Sequence, residues 1–170
     1  LKPEEWDGKW RIFMYSIPEE IRSIRDELRK ELVWSGFGTM SASTWISPND
    51  LEKQVRQLIR KYEIEEYVDF FIADHKGPSE SRRLVEKNWD LEEINAKYEE
   101  FIAEYSRMYM IDKSKIAKGQ MTDAECFVGR AKLVHEYRKF LFVDPGLPDE
   151  LLPDKWLGGH AATLFGEYYK

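Results

Sequence analysis

Between Trp10 and Ile17 the chain reads WRIFMYSI, an apolar run broken only by Arg11 and Ser16. Such a run predicts a strand covered on both faces. Pro18 ends it and suits the first turn of a helix, with Glu19 and Glu20 at the positive end of the helix dipole. Ile21, Ile24, Leu28 and Leu32 then recur at helical spacing among charged residues, and Gly36 and Gly38 close that helix. GTMSASTWIS predicts a hairpin pairing 39–41 with 44–47. Leu51, Val55, Leu58 and Tyr62, behind a Ser or Asn cap and early acids, mark a second amphipathic helix, and 67–73 restores the buried-strand pattern.

The order β-α-β-β-α-β is that of the ferredoxin-like split βαβ arrangement, whose sheet carries both helices on one face. Trp10, Phe13, Tyr15, Trp45 and Phe70 are more aromatic bulk than two helices are expected to cover. The second sheet face is therefore expected to meet a partner chain or the rest of this one. HKGPSES, at 75–81, reads as a hinge rich in turn formers. Beyond it Leu91, Ile94, Tyr98, Phe101, Ile102, Tyr105 and Met108 form one long helical stripe. Phe127, Ala131, Val134 and Arg138, with Leu133, Tyr137 and Phe140 alongside, form another. IDKSKIAKGQMTD between them reads as a polar connector, DPGLPDELLPDKWLGG as a crossing segment, and HAATLFGEYY as a last short helix. The predicted class is α+β, a ferredoxin-like βαββαβ domain at 6–76 followed by a helical C-terminal domain at 77–170.

Composition narrows this picture. Apolar content of 42% with 14% aromatics supports a folded core, and no apolar run reaches the roughly 20 residues that span a bilayer. The lone cysteine, Cys126, excludes an internal disulfide and suits a reducing cytoplasm. The net charge of −6 is evenly spread, with 12 basic and 15 acidic residues up to Lys76 and 14 and 17 thereafter. Neither half has the basic excess of a typical nucleic-acid binder.

Candidate chemistry is sparse. Cys126 and His135 stand nine positions apart on one predicted helix, too far for direct pairing. His75, His135 and His160 are scattered, and no zinc-ligand spacing, phosphate-cradling glycine loop, nucleophile elbow or dinucleotide fingerprint occurs. No catalytic residue, metal site or cofactor is therefore expected. RAKLVHEYRKF draws more notice, since Arg130, Val134 and Arg138 share one helix face while Ala131, His135 and Arg138 lie at i, i+4 and i+7. Charges among Leu, Phe and Tyr must be paired or face a pocket. Either this helix is ion-paired at its surface, with Glu136 among the partners, or Arg130, His135 and Arg138 rim a site for an acidic ligand, which a guanidinium grips well.

Three stretches carry a resemblance: WDGKWRIFMYSIPEEIRSIRDELRKELVWSGFGTMSASTWISP, WDLEEINAKYEEFIAEY and LVHEYRKFLFVDPGLPDELLPDKWLGGHAATLF. Together they resemble the PaaX family of bacterial transcriptional repressors over nearly the whole chain. The resemblance implies a winged-helix DNA-binding domain ahead of Trp6, a middle domain similar to the ferredoxin-fold CRISPR-associated nucleases, and a helical C-terminal domain. It further implies a cytoplasmic homodimer that represses phenylacetate catabolism, binds operator DNA through the winged helix, and is released by an acyl-CoA effector such as phenylacetyl-CoA. Arg130, His135 and Arg138 are the effector-binding candidates on that view. The rival reading is a metal-dependent nuclease or thioester-handling enzyme on the same fold. The nucleases hold a metal with an aspartate at the end of their first strand, where this chain has Ser16 or Ile17, so the fold is expected to pair subunits and not to cut.

Overall fold

The computed structural model describes residues 5–169. These divide into two compact units, one holding the described residues up to Asp90 together with Asp144–Pro153, the other Leu91–Val143 and the described residues from Asp154 onward.

In the first unit β1 (Trp10–Tyr15), α1 (Arg22–Trp34), β2 (Gly38–Ser41), β3 (Thr44–Ser47), α2 (Glu52–Tyr62) and β4 (Val68–Ala73) follow in order, and α3 (Ser81–Asn88) comes next. The four strands form a sheet in the order β2-β3-β1-β4, each neighbour antiparallel. Register settles where the aromatics go. Phe13 lies opposite both Trp45 and Phe70, so these side chains share a face, and Tyr15 joins them two positions on. That face packs on Leu28 and Leu32 of α1 and Val55 and Leu58 of α2. Two helices thus cover four of the five aromatics expected to overfill them, because antiparallel neighbours stack these rings in one layer. Only Trp10 turns to the other face. It is buried, and meets Trp6 edge-on at 5.4 Å.

The remainder of that second face is less covered. Ile12 is half-buried, while Phe71, in register with it, and Met14, two positions on, are exposed. Arg11 points the opposite way and is buried, which its partners make affordable. Asp7 accepts from both guanidinium Nη atoms at 2.6 and 2.8 Å and the Pro48 carbonyl takes a third bond at 3.0 Å. The Arg11 hydrogen bond in turn holds the Asp7 carboxyl below its ordinary range.

α1 and α2 end alike. After α1, Gly36 N–H donates to the Val33 carbonyl and Phe37 N–H to that of Leu32, with Gly36 at φ 90°. After α2, Glu63 N–H donates to Arg60 and Ile64 N–H to Ile59, with Glu63 at φ 52°. Both are Schellman closures, in which a left-handed residue lets the chain turn back and satisfy the last carbonyls. The segment Asp144–Pro153 completes this unit, burying Leu147, Leu151 and Leu152. Asn49 Nδ2 donates to the Gly146 carbonyl at 2.9 Å, and Arg82 Nε to that of Glu150 at 2.9 Å.

The second unit is helical: α4 (Leu91–Ala117), α5 (Asp123–Arg138), α6 (Phe140–Val143) and α7 (Gly158–Tyr169). Its core is aromatic. Tyr98 stacks on Phe140 at 4.0 Å and meets Trp156 edge-on, and Tyr137 stacks on Phe165 at 4.3 Å. Asn95 ties α4 to the segment before α7, donating to the Lys155 carbonyl and accepting from Leu157 N–H. The expected polar connector is largely helix. Lys, Ser, Ile and Ala sustain α4 to Ala117, until Gly119 (φ 62°) closes it by the same two-bond motif, leaving a short link before Thr122. Among the described residues no helix is long and apolar enough to cross a membrane.

Candidate functional site

α5 starts from a capping box. Thr122 Oγ1 accepts from Glu125 N–H, and the Glu125 carboxylate accepts from Thr122 N–H at 2.8 Å. The bonds its carboxylate accepts from the Thr122 N–H and hydroxyl hold Glu125 below its ordinary pKa. Only Leu133 of this helix is fully buried. Phe127 is 73% exposed and Ala131 is exposed, so the stripe expected to run inward through them faces solvent. The helix instead turns Leu133 inward, with Tyr137 beside it half-buried. Either face of α5 could be read as apolar, and the aromatic layer of Tyr98, Phe101 and Phe140 decides which is used.

Between α4 and α5 lies an open groove of about 690 Å³, floored by Tyr105, Phe127, Val128 and Ala131 and edged by Glu104, Lys132, His135 and Glu136. A neighbouring depression of about 360 Å³ shares Val128 and Lys132 with it and adds Met108, Lys115 and Met121. The floor is apolar and the edge carries both signs of charge. Burial, and then Glu104 and Glu136, raise the Tyr105 phenol. Beside the second depression the Tyr168 hydroxyl donates to Asp112 in a short bond, and burial together with that carboxylate raises its pKa strongly.

The three residues singled out from sequence do not converge. His135 lies on the groove edge, its imidazole 74% exposed and 4.0 Å from Glu136, which is itself bonded to Lys139 at 2.6 Å. Arg138, one turn on, is exposed on the same side of α5. Arg130 is exposed too, but five positions before His135 it falls on the opposite flank at about 3.6 residues per turn. Cys126 is half-buried and sits half a revolution out of phase with His135. Lys132 is not among the sequence candidates, and Phe127 enters there only as part of an expected core stripe. Their signal was that α5 lacks a clean polar side, so one apolar strip was bound to stay outside. Of the two positions compared with the nucleases' aspartate, both just after β1, Ser16 is exposed and Ile17 buried, and no group of three His, Cys, Asp or Glu able to hold a metal occurs among the described residues.

Comparison with known proteins decides the family. Residues 3–85 match the family model described as the PaaX protein central Cas2-like domain, and residues 89–170 match the PaaX-like protein C-terminal domain. The chain belongs to the PaaX family. It is 32% identical over 168 residues to the transcriptional repressor PaaX of Escherichia coli (strain K12), an alignment covering 97% of this chain and 52% of the relative. The chain thus spans about half the length of that repressor. Among solved structures it is similar to an uncharacterized protein, Rv0674, from Mycobacterium tuberculosis, with a TM-score of 0.54 and 25% identity over 96% of this chain and 60% of that one. The segment Asp144–Pro153 belongs by sequence to the PaaX-like C-terminal domain and by contact to the first unit.

Proposed function

We propose that this chain is the pairing and effector-sensing portion of a bacterial repressor of aromatic-acid catabolism, acting in the cytoplasm as a homodimer. The observation that carries this reading is the likeness to the Escherichia coli repressor along 97% of the chain. The first unit is read as ferredoxin-like, on the element order and on the β2-β3-β1-β4 sheet. Pairing is assigned to the 6–76 domain, whose second sheet face leaves Met14 and Phe71 exposed. Sensing is assigned to the 77–170 domain. Operator DNA is contacted by a winged-helix domain outside these residues, which accords with the chain's net charge of −6.

The effector is an aryl-CoA such as phenylacetyl-CoA, with His135 and Arg138 as its polar contacts and Arg130, on the opposite flank of α5, outside the groove. An aromatic acyl end suits the Tyr105–Phe127–Ala131 floor, and the anionic end is drawn to His135, Lys132 and Arg138 against the opposing charge of Glu104 and Glu136. Binding shifts the population toward an arrangement that misplaces the DNA-binding domains relative to their half-sites. Calorimetric titration of phenylacetyl-CoA and of free CoA into wild type, His135→Ala and Arg138→Ala tests the assignment. We expect the thioester to bind wild type more tightly than CoA does, and both variants to bind it more weakly. Wild type that ignores the thioester removes the sensing role, while equal binding by an alanine variant removes that residue alone.

A further inference from the structure

One face of α4 stays exposed along its length, and apart from Lys97, which is paired with Glu93 at 2.5 Å, its charges are segregated along it. Glu99, Glu100 and Glu104 occupy the N-terminal half of that face; Arg107 occupies the C-terminal half, and Lys118 follows one residue past the helix end. None of these five makes an ion pair among the described residues. The helix dipole does not account for the pattern, because its influence fades within the first and last turns whereas Glu99, Glu100, Glu104 and Arg107 lie in the helix interior. Glu100 and Glu104 are moreover like charges at i, i+4, an unfavourable pair on an isolated helix. Between and beyond the charges Met110 is 67% exposed and Ile111 48%, and the small Ala96, Ala103 and Ser114 keep the surface low.

A surface acidic at one end and basic at the other complements its own image when turned end for end. We propose that the exposed face of α4 packs antiparallel on the same face of a second copy of this chain, about a two-fold axis passing beside residues 105 and 106. In that register Glu104 faces Arg107 of the partner subunit, and Glu93, paired with Lys97 of its own helix, comes level with Lys118 of the partner subunit just past the helix end, each contact occurring twice. The small residues leave room for Met110 and Ile111 from across the axis. A parallel arrangement would set like charge against like. A different protein would need only one half of the pattern, whereas a second copy uses both, as an isologous interface requires.

This rests on the homodimer reading above and gives the helical unit its own pairing surface. The test is sedimentation of the whole chain as wild type, Glu104→Arg, Arg107→Glu, the combined charge swap, and Met14→Glu/Phe71→Glu on the sheet, with circular dichroism confirming that each variant keeps its helix content. Each single reversal is expected to weaken the dimer by about tenfold or more, and the swap to return it to within about threefold, since only the swap restores opposite charges across the axis. Salt should weaken wild type and swap alike. A wild-type monomer at tens of micromolar sinks the homodimer reading and this surface with it. A dimer that tolerates both reversals, whether or not the sheet variant breaks it, keeps the homodimer and overturns the α4 interface. Reversals that weaken the dimer with no recovery in the swap also overturn it, because the face would then meet something other than its own image.

Discussion

Gly36 and Gly119 close α1 and α4 with the same pair of hydrogen bonds, yet their surroundings differ, and that contrast makes a quantitative test. Alanine at either site must hold a left-handed conformation that costs about 1–2 kcal/mol, offset by about 0.4–1 kcal/mol because the unfolded chain loses freedom. At Gly119 nothing lies within 4 Å of where a Cβ would sit, so Gly119→Ala should lose about 1 kcal/mol. At Gly36 the Cβ would fall 2.6 Å from the Pro145 carbonyl oxygen, with the Pro145 carbonyl carbon at 3.4 Å. Backbone is less able to yield than a side-chain tip, and relieving such a contact adds about 1–3 kcal/mol. Gly36→Ala should therefore lose about 2–4 kcal/mol in total. Urea unfolding followed by hydrogen exchange would report each unit separately. Gly36→Ala should also raise exchange in Asp144–Pro153, which Gly119→Ala leaves alone. Equal losses at the two sites would refute the reasoning, since Pro145 would then give way freely.

Three further outcomes follow from the packing. Glu63→Gly relieves the non-glycine residue that closes α2 at φ 52° and should gain about 0.5–1 kcal/mol in urea unfolding. Leu133→Ala removes the one fully buried side chain of α5 and should cost about 2–5 kcal/mol, with exchange rising across the whole helix. Glu31 accepts from Lys61 at 2.5 Å, which holds its carboxyl below the ordinary value of 4.5. The stability this contributes is present above that value and is lost as pH falls through the lowered one. Glu31→Gln should thus be less stable than wild type at neutral pH, the two curves converging in acid; curves that stay parallel throughout would remove the ion pair from the account.

Much of the first unit was legible because its signals are local. Apolar runs, helical spacing and turn residues place each of the four strands and the two helices between them to within a few residues. The partition of aromatics between sheet faces was not legible, since it depends on register: only the pairing of Phe13 with Trp45 and Phe70 puts them in one layer. In the second unit α4 was read well from its long stripe. α5 is legible only in part: Leu133 and Tyr137 turn inward with Phe140 as expected, whereas Phe127 and Ala131, whose spacing is equally that of a core stripe, do not. A groove between two helices is likewise invisible to periodicity, which reports what one helix hides and never what two helices leave open between them. Lys132 belongs to that class.

The first unit takes back Asp144–Pro153 only after the chain has traced Leu91–Val143. On a translating ribosome this imposes an order of events. At about 5–20 residues per second, the intervening stretch delays delivery of Leu147, Leu151 and Leu152 by several seconds after Asp90 is made. During that interval the first unit lacks three of its buried leucines, and a chaperone or a neighbouring nascent chain has its best opportunity to engage it. Slower decoding across Leu91–Val143 would lengthen that window without altering a single atom of the finished protein.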